Sequence, residues 1–322
     1  MSILRKLFPP TTRFEPGPID TEAGCARVRE FIDGGGEAEV FEWLNALKAR
    51  GVAMQNVDYL RALCFVRKKQ SGAAVQALRE ELRFFPEHAA ARDLLNNLSS
   101  AQRAVEVPGD AEFQKLFAEI REQTMVGPAR LWSMFQLARE VCAEDRPGNF
   151  VECGVAAGGS SALLATVIQR YSKRERRLFA CDTFQGMPPA SDLDTHRGRH
   201  AEQTGWGAGT CAAPRESLDR LCKKMGVRDL VEPVEGLFEH TLPAHRARFG
   251  DIAFLHMDGD WYSSTRDILE NLFDQVVPRG RIQIDDYGVC EGCKRAISEF
   301  EAQRQLKFNL NVIDETGVWM VK

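Results

Sequence analysis

Apolar residues recur at helical spacing from about residue 21 to residue 98, and nothing there alternates with the period of two that marks a strand. Val28 and Phe31 lead into Gly34-Gly35-Gly36, a helix-breaking run, and Phe41, Leu44 and Leu47 then resume the helical period. Residues 58–65 and 73–78 form a second pair of helical segments. Gln70-Ser71-Gly72 separates them and Pro86 closes them. A helical approach over 111–144, broken near Gly127-Pro128, ends at Pro147-Gly148. Beyond it, short apolar runs at 150–153, 178–182, 231–234, 252–257, 281–284, 308–313 and 318–321 read as strands. The segments 160–171, 216–225, 242–249, 265–276 and 294–303 read as helices between them. This alternation predicts an α/β fold with a doubly wound, mostly parallel seven-stranded sheet, the last two strands pairing as a hairpin around Glu315-Thr316-Gly317. The chain therefore divides into a leader (1–20), a small all-α domain (21–100), a linker (101–110) and an α/β domain (111–322).

In the α domain, Ala62, Ala74 and Pro86 each stand 12 positions apart. A tetratricopeptide repeat places small residues where its helices cross and a proline at the turn into the next repeat, and this segment resembles one such repeat. That predicts docking to a protein partner or to a second copy through residues 21–100.

Composition narrows the function. The 322 residues carry a net charge of −4 with no long basic run, which predicts no nucleic-acid partner. No apolar stretch approaches the roughly 18 residues of a membrane span. Residues 1–8 lack the apolar core of a signal peptide, so a cytoplasmic location is expected. The nine cysteines fit a reducing compartment: their number is odd, and Cys153 and Cys181 fall in strands as small hydrophobes. Cys290-x-x-Cys293 has no second pair or histidine set nearby to complete a zinc site.

Ligands in doubly wound sheets bind at the carboxyl ends of strands. The first strand runs into Glu152-Cys153-Gly154-Val155-Ala156-Ala157-Gly158-Gly159-Ser160-Ser161, whose glycines allow a sharp turn and whose serines stand where a helix cap is needed. The second strand ends in Asp182, an acid placed to accept hydrogen bonds from ribose hydroxyls. The fourth ends in Asp258-Gly259-Asp260 and the fifth in Asp285-Asp286. Neighbouring strands lie about 4.8 Å apart, so four carboxylates converge. Such a group either takes up protons or is neutralised by a cation, and an all-oxygen set suits Mg²⁺. Capping of the following helix by Asp258 or Asp260 would account for only part of the cluster. A carboxylate beside the cation would remove a proton from a hydroxyl: Asp260 is the candidate, with His256 as the competing base.

Several segments together resemble the macrocin O-methyltransferase family, which is a group of class I S-adenosylmethionine-dependent enzymes. They are Thr124-Met125, Phe150-Val151-Glu152-Cys153-Gly154-Val155, Asp182-Thr183-Phe184-Gln185-Gly186-Met187-Pro188, Phe238-Glu239-His240-Thr241-Leu242-Pro243, His256-Met257-Asp258-Gly259-Asp260-Trp261-Tyr262-Ser263-Ser264-Thr265 and Ile284-Asp285-Asp286-Tyr287-Gly288. The resemblance covers residues 124–322 and leaves the α domain outside. It implies S-adenosylmethionine, Mg²⁺ on Asp258, Asp285 and Asp286, a base at Asp260, a sugar hydroxyl as acceptor and a homo-oligomer. The expected cofactor-binding set is Glu152, Gly154, Gly158, Ser160, Asp182, Thr124 and Met125. A catechol or phenol acceptor is the nearest rival within enzymes, and a repeat-containing adaptor with an inactive methyltransferase-like domain is the rival outside them. Residues 190–214, with His196, Arg197, His200 and Trp206, read as a mobile lid over the acceptor.

Overall fold

The computed structural model describes residues 18–19, 21–48, 53–68, 70–102 and 107–322. Residues 1–8, read above for a signal peptide, lie outside the described residues. The chain forms two compact units, residues 1–106 and 107–322.

In the first unit, α1 (Glu22–Phe31) starts where the Thr21 hydroxyl accepts the Gly24 N–H at 3.1 Å. The glycine run does not end the helix. It forms a π-helical kink at Ile32–Gly36, with Gly35 left-handed at φ 94°, and α2 (Glu37–Lys48) continues from it. Then come α3 (Val57–Arg67), α4 (Ser71–Phe84) and α5 (Ala89–Gln102), the last running two residues into the expected linker. Ala62 and Ala74 are fully buried, and α3 packs on α4. Asn56, ahead of α3, is left-handed and offers α3 no side-chain cap of its own. Glu81 of α4 supplies the cap. Its buried carboxylate accepts the N–H groups of Asn56 at 2.7 Å, Asp58 at 3.2 Å and Tyr59 at 3.2 Å. His88 joins the cluster, its Nε2 lying 2.7 Å from the Asn56 side-chain oxygen.

The second unit opens with α6 (Ala111–Ile120), capped by Asp110, and α7 (Pro128–Ala143), which has proline in its first turn. The sheet strands are β1 (Asn149–Cys153), β2 (Leu178–Asp182), β3 (Val231–Glu235), β4 (Ile252–Met257), β5 (Val276–Ile284), β6 (Asn311–Val312) and β7 (Val318–Val321). Their order is β3-β2-β1-β4-β5-β7-β6, parallel from β3 to β5, with β7 antiparallel to β5 and to β6. The expected doubly wound sheet is present, with two differences in extent larger than a single residue. β5 starts at Val276, where Pro278-Arg279-Gly280 hid the strand pattern, and β6 is two residues rather than six.

Alternation along the strands sorts the core into two layers. Phe150, Ala180 and Phe254 pack with α6, α7, α8 (Gly159–Tyr171) and α9 (Arg215–Lys224). Val151, Phe179, Leu255 and Ile282 pack with α10 (Phe238–Phe249), α11 (Tyr262–Leu272) and α12 (Glu291–Arg304). One sheet edge is β3, which contains Pro233; the other is the short β6. The strand order reverses direction between β1 and β4, and the crevice at their carboxyl ends is where this fold holds ligands.

Candidate functional site

The glycine loop sits in that crevice. Gly154 has φ 100°, and a Cβ there would lie 1.9 Å from the Asp258 carbonyl oxygen, so only glycine lets β1 and β4 end this close together. Gly158, at φ 96°, is the N-cap of α8, and no side chain caps the helix. The serines therefore do not cap as expected. Ser160 is buried, and the Ser161 hydroxyl donates to Glu152. A Cβ on Gly159 would meet the Thr124 Cβ at 2.7 Å, which places Thr124-Met125 against the start of α8, with Met125 exposed. Asp182 holds the loop from β2: its Oδ2 accepts the N–H groups of Val155 at 2.7 Å and Ala156 at 3.0 Å, and its Oδ1 accepts that of Phe184 at 2.7 Å. Beyond Asp182, past the ends of β2 and β3, lies a cavity of about 390 Å³ lined by Phe184, Pro214, Arg215, Glu216, Asp219 and Glu235.

The acids converge at the ends of β4 and β5. Oxygens of Asp258, Asp285 and Asp286 lie within 4.8 Å of one another. Asp260 adjoins them. Its backbone is left-handed at φ 55°, an uncommon conformation for a residue other than glycine, and its N–H donates to Asp286 Oδ2 at 3.0 Å. Burial and the charges of Asp285 and Asp286 hold the Asp258 carboxyl well above the usual carboxylate range. Burial and Asp286 do the same for Asp260, while burial and Asp285 push Asp286 up to about 6. Asp285 differs: burial would raise it, but the Arg130 guanidinium and His256 bring it below its ordinary value. The Cys290 sulfur lies within 4.8 Å of Asp260 and Asp286 oxygens, but burial and those acids raise its thiol, which keeps it protonated and a poor ligand.

Glu152 and His256 are fully buried beneath this surface, on adjacent strands in register with each other. His256 Nδ1 donates to Glu152 Oε1 at 3.1 Å, and Nε2 faces Asp285 Oδ1 at 3.6 Å, where both atoms lack a hydrogen-bond partner. Burial would lower the His256 pKa, but the facing carboxylates of Asp285 and Glu152 raise it to about 10. This position separates His256 from Asp260, which is partly exposed.

Sequence reasoning missed Arg130. Its guanidinium reaches from α7 to pair with Asp285 and, at 3.1 Å, with Asp314. It has no local signature, because its partners lie more than 150 positions away. Asp194 was missed too. It is buried and accepts the Tyr262 N–H at 2.6 Å and the Ser191 N–H at 2.8 Å. Asp194 thereby pins the segment read as a lid to the start of α11. The Glu291 carboxylate accepts from Thr195 Oγ1 at 2.8 Å and Gly198 N at 2.9 Å, His196 forms a β-bridge with Cys290, and the Trp261 indole donates to the Pro188 carbonyl at 2.9 Å. The segment thus packs beside the Asp285-Asp286 turn.

Comparisons with known proteins agree with the fold. The family model Macrocin-O-methyltransferase (TylF) matches residues 75–322. The match begins before Thr124 and includes the end of the helical unit, which the motifs alone had left outside the family. A relative from Streptomyces olivaceus, 8-demethyl-8-(2,3-dimethoxy-alpha-L-rhamnosyl)-tetracenomycin-C 4'-O-methyltransferase, is 34% identical over 197 residues, covering 61% of this chain and 74% of the relative. Demethyldecarbamoylnovobiocin O-methyltransferase from Streptomyces niveus is 33% identical over the same length and the same shares. The structure of the O-methyltransferase NovP is similar with TM-score 0.56 at 32% identity, covering 62% of this chain and 82% of that one. A calicheamicin methyltransferase shares the fold, with TM-score 0.53 at 22% identity over 73% of this chain and 93% of that one.

Proposed function

The chain belongs to the macrocin O-methyltransferase family, and from that premise we propose that it methylates a hydroxyl of a sugar, borne on a small molecule or glycan, with the help of a divalent cation. As an O-methyltransferase of this fold it uses S-adenosylmethionine, which supplies an activated methyl group and leaves as S-adenosylhomocysteine. The sugar is supported by the rhamnosyl group in one relative's name.

The observation that carries the cation is the convergence of Asp258, Asp285 and Asp286 oxygens within 4.8 Å, together with the buried Asp285 Oδ1, which accepts no hydrogen bond and has His256 Nε2 facing it at 3.6 Å. Like charges that raise one another's pKa in a cleft are relieved by a cation, and carboxylate oxygens suit Mg²⁺. A cation held there would lower the acceptor hydroxyl's pKa and fix its position.

The rest is done by side chains of this protein. Asp260 stands two residues beyond Asp258 on a strained turn. Burial and the neighbouring acids raise its pKa; a cation on those acids would relieve the repulsion, leaving Asp260 ionised and placed to take the acceptor's proton. Gly154, Gly158 and Ser160 shape the donor loop, Asp182 fixes that loop through its backbone, and Thr124-Met125 flank it. Glu152 supports it from below. The cavity past Asp182 receives the nucleoside end of the donor. Residues 21–100 form a docking surface for a protein partner or a second copy. No helix among the described residues is long and apolar enough to cross a membrane.

The test is calorimetry with S-adenosylhomocysteine, followed by mass spectrometry of glycosylated acceptors for a gain of one methyl, with and without chelator. Chelator should abolish turnover, while S-adenosylhomocysteine binding stays measurable. Turnover that survives exhaustive chelation overturns the cation's role, and absence of S-adenosylhomocysteine binding overturns the enzyme reading.

A further inference from the structure

Glu152, His256 and Gln283 occupy one row across β1, β4 and β5, each in register with the next. All three are fully buried, at positions on the same sheet face as the core residues Phe150 and Phe254. Apolar side chains would fill this row at no desolvation cost. Polar groups buried here are costly unless paired, so a row of them needs a reason.

The row connects the two halves of the site. At one end, Ser161, in the first turn of α8 just past the donor loop, donates its hydroxyl to Glu152. In the middle, Glu152 accepts from His256 Nδ1 at 3.1 Å. A carboxylate only accepts, so Nδ1 carries the proton in this bond. At the other end His256 Nε2 lies 3.6 Å from Asp285 Oδ1, two buried polar atoms without other partners. Arg130 grips the opposite oxygen of Asp285 and extends to Asp314. Arg130 thus orients the Asp285 carboxylate through one oxygen, while His256 faces the other across 3.6 Å and leads back through Glu152 towards the donor loop. The backbone is equally tight at this point, since Gly154 touches the Asp258 carbonyl.

We propose that the buried row Ser161–Glu152–His256–Asp285 couples the donor site to the cation site, with His256 as the positioning residue that transmits between them. This rests on the reading of Asp258, Asp285 and Asp286 as a cation site. Donor binding at the loop bears on Ser161 and Glu152, the Glu152–His256 bond carries the shift, and His256 in turn sets the Asp285 oxygen for the cation. Linkage makes the effect reciprocal.

The experiment is calorimetry of the full chain with S-adenosylhomocysteine alone, Mg²⁺ alone, and each in the presence of the other. In the wild type each ligand should tighten the other by about 5- to 150-fold, the usual range of such coupling. His256→Asn and His256→Gln separate the two contacts. The shorter amide reaches the position of Nδ1, and the longer one reaches that of Nε2. His256→Asn should keep S-adenosylhomocysteine affinity and weaken Mg²⁺ binding. His256→Gln should do the reverse, and both should lose the coupling. Ser161→Ala, at the far end of the row, should reduce the tightening of Mg²⁺ by S-adenosylhomocysteine. Melting curves of each variant guard against misfolding. Wild-type binding of the two ligands that is merely additive overturns the coupling and leaves the cation site standing. Equal loss of both affinities in both His256 variants, in step with a fall in melting temperature, overturns it as a purely structural role. Failure of the wild type to bind Mg²⁺ overturns the coupling and the cation site together.

Discussion

Glu81 in the helical unit and Asp286 in the catalytic unit are both buried acids, with different surroundings. Glu81 accepts three backbone N–H groups at the start of α3, donors that would otherwise be stranded. Asp286 accepts one, from Asp260, and sits among the carboxylates of Asp258, Asp260 and Asp285. A buried acid surrounded by donors holds a fold together. A buried acid surrounded by other acids stores repulsion, which a ligand can release. On the proposed reading, the same residue chemistry is structural in one unit and functional in the other, and the neighbours decide which.

The largest effect should come from the functional side. Asp260→Asn should lower kcat by about a hundred- to ten-thousand-fold, measured by methyl transfer, with S-adenosylhomocysteine affinity unchanged by calorimetry. Next, Glu81→Ala should destabilise the helical unit by about 1–3 kcal/mol, the cost of leaving buried donors unsatisfied. Hydrogen exchange at the start of α3 should rise, and methyl transfer per folded molecule should hold. Smaller and of opposite sign, Asp258→Asn in the absence of cation should raise the melting temperature of the catalytic unit. A rise of about 2–4 °C corresponds to roughly 1 kcal/mol in a unit of this size. A fall instead would make the cluster a structural one and erase the contrast.

The smallest effect concerns pH. Burial lowers the His88 pKa below its ordinary 6.5. As pH falls through 6.5 the unfolded chain takes up a proton that folded His88 resists, so its contribution to stability is lost on acidification. Burial raises Glu81, which works the other way: folded Glu81 takes up its proton at a higher pH than the unfolded chain does, and that partly offsets the loss. In His88→Gln, denaturant titrations from pH 7.5 to 5.5 should show a flatter stability profile than in the wild type.

Much of the catalytic unit was legible because its chemistry sits at strand ends. Glycines after β1 and aspartates after β2, β4 and β5 mark positions that parallel topology gathers into one crevice. The convergence of Asp258, Asp285 and Asp286 follows from that topology alone. Contacts that depend on a side chain crossing from another layer were not legible. Arg130 reads as an ordinary residue on an amphipathic helix, and Asp194 as part of a polar loop. Local rules also misled where a tertiary contact was stronger. Ser161 stands where a cap belongs, but Glu152 takes its hydroxyl and Gly158 ends the turn by its own backbone freedom. The glycine run at 34–36 promised a break and gave a kink, because a single left-handed residue let the helix continue. β5 was read too short because the preceding helix, expected over 265–276, ends at Leu272, and Pro278-Arg279-Gly280 interrupts the apolar run where the strand passes through a bulge.

The margins of the seven-stranded sheet have a consequence for how copies of this enzyme meet. On one side Pro233 removes an N–H from β3, and on the other β6 presents two residues. Neither edge is a usable template for a further strand. Any association between catalytic units would thereby fall to helix and loop surfaces, where side chains choose the partner. The strand-on-strand growth that turns crowded β-proteins into fibres is disfavoured at both borders.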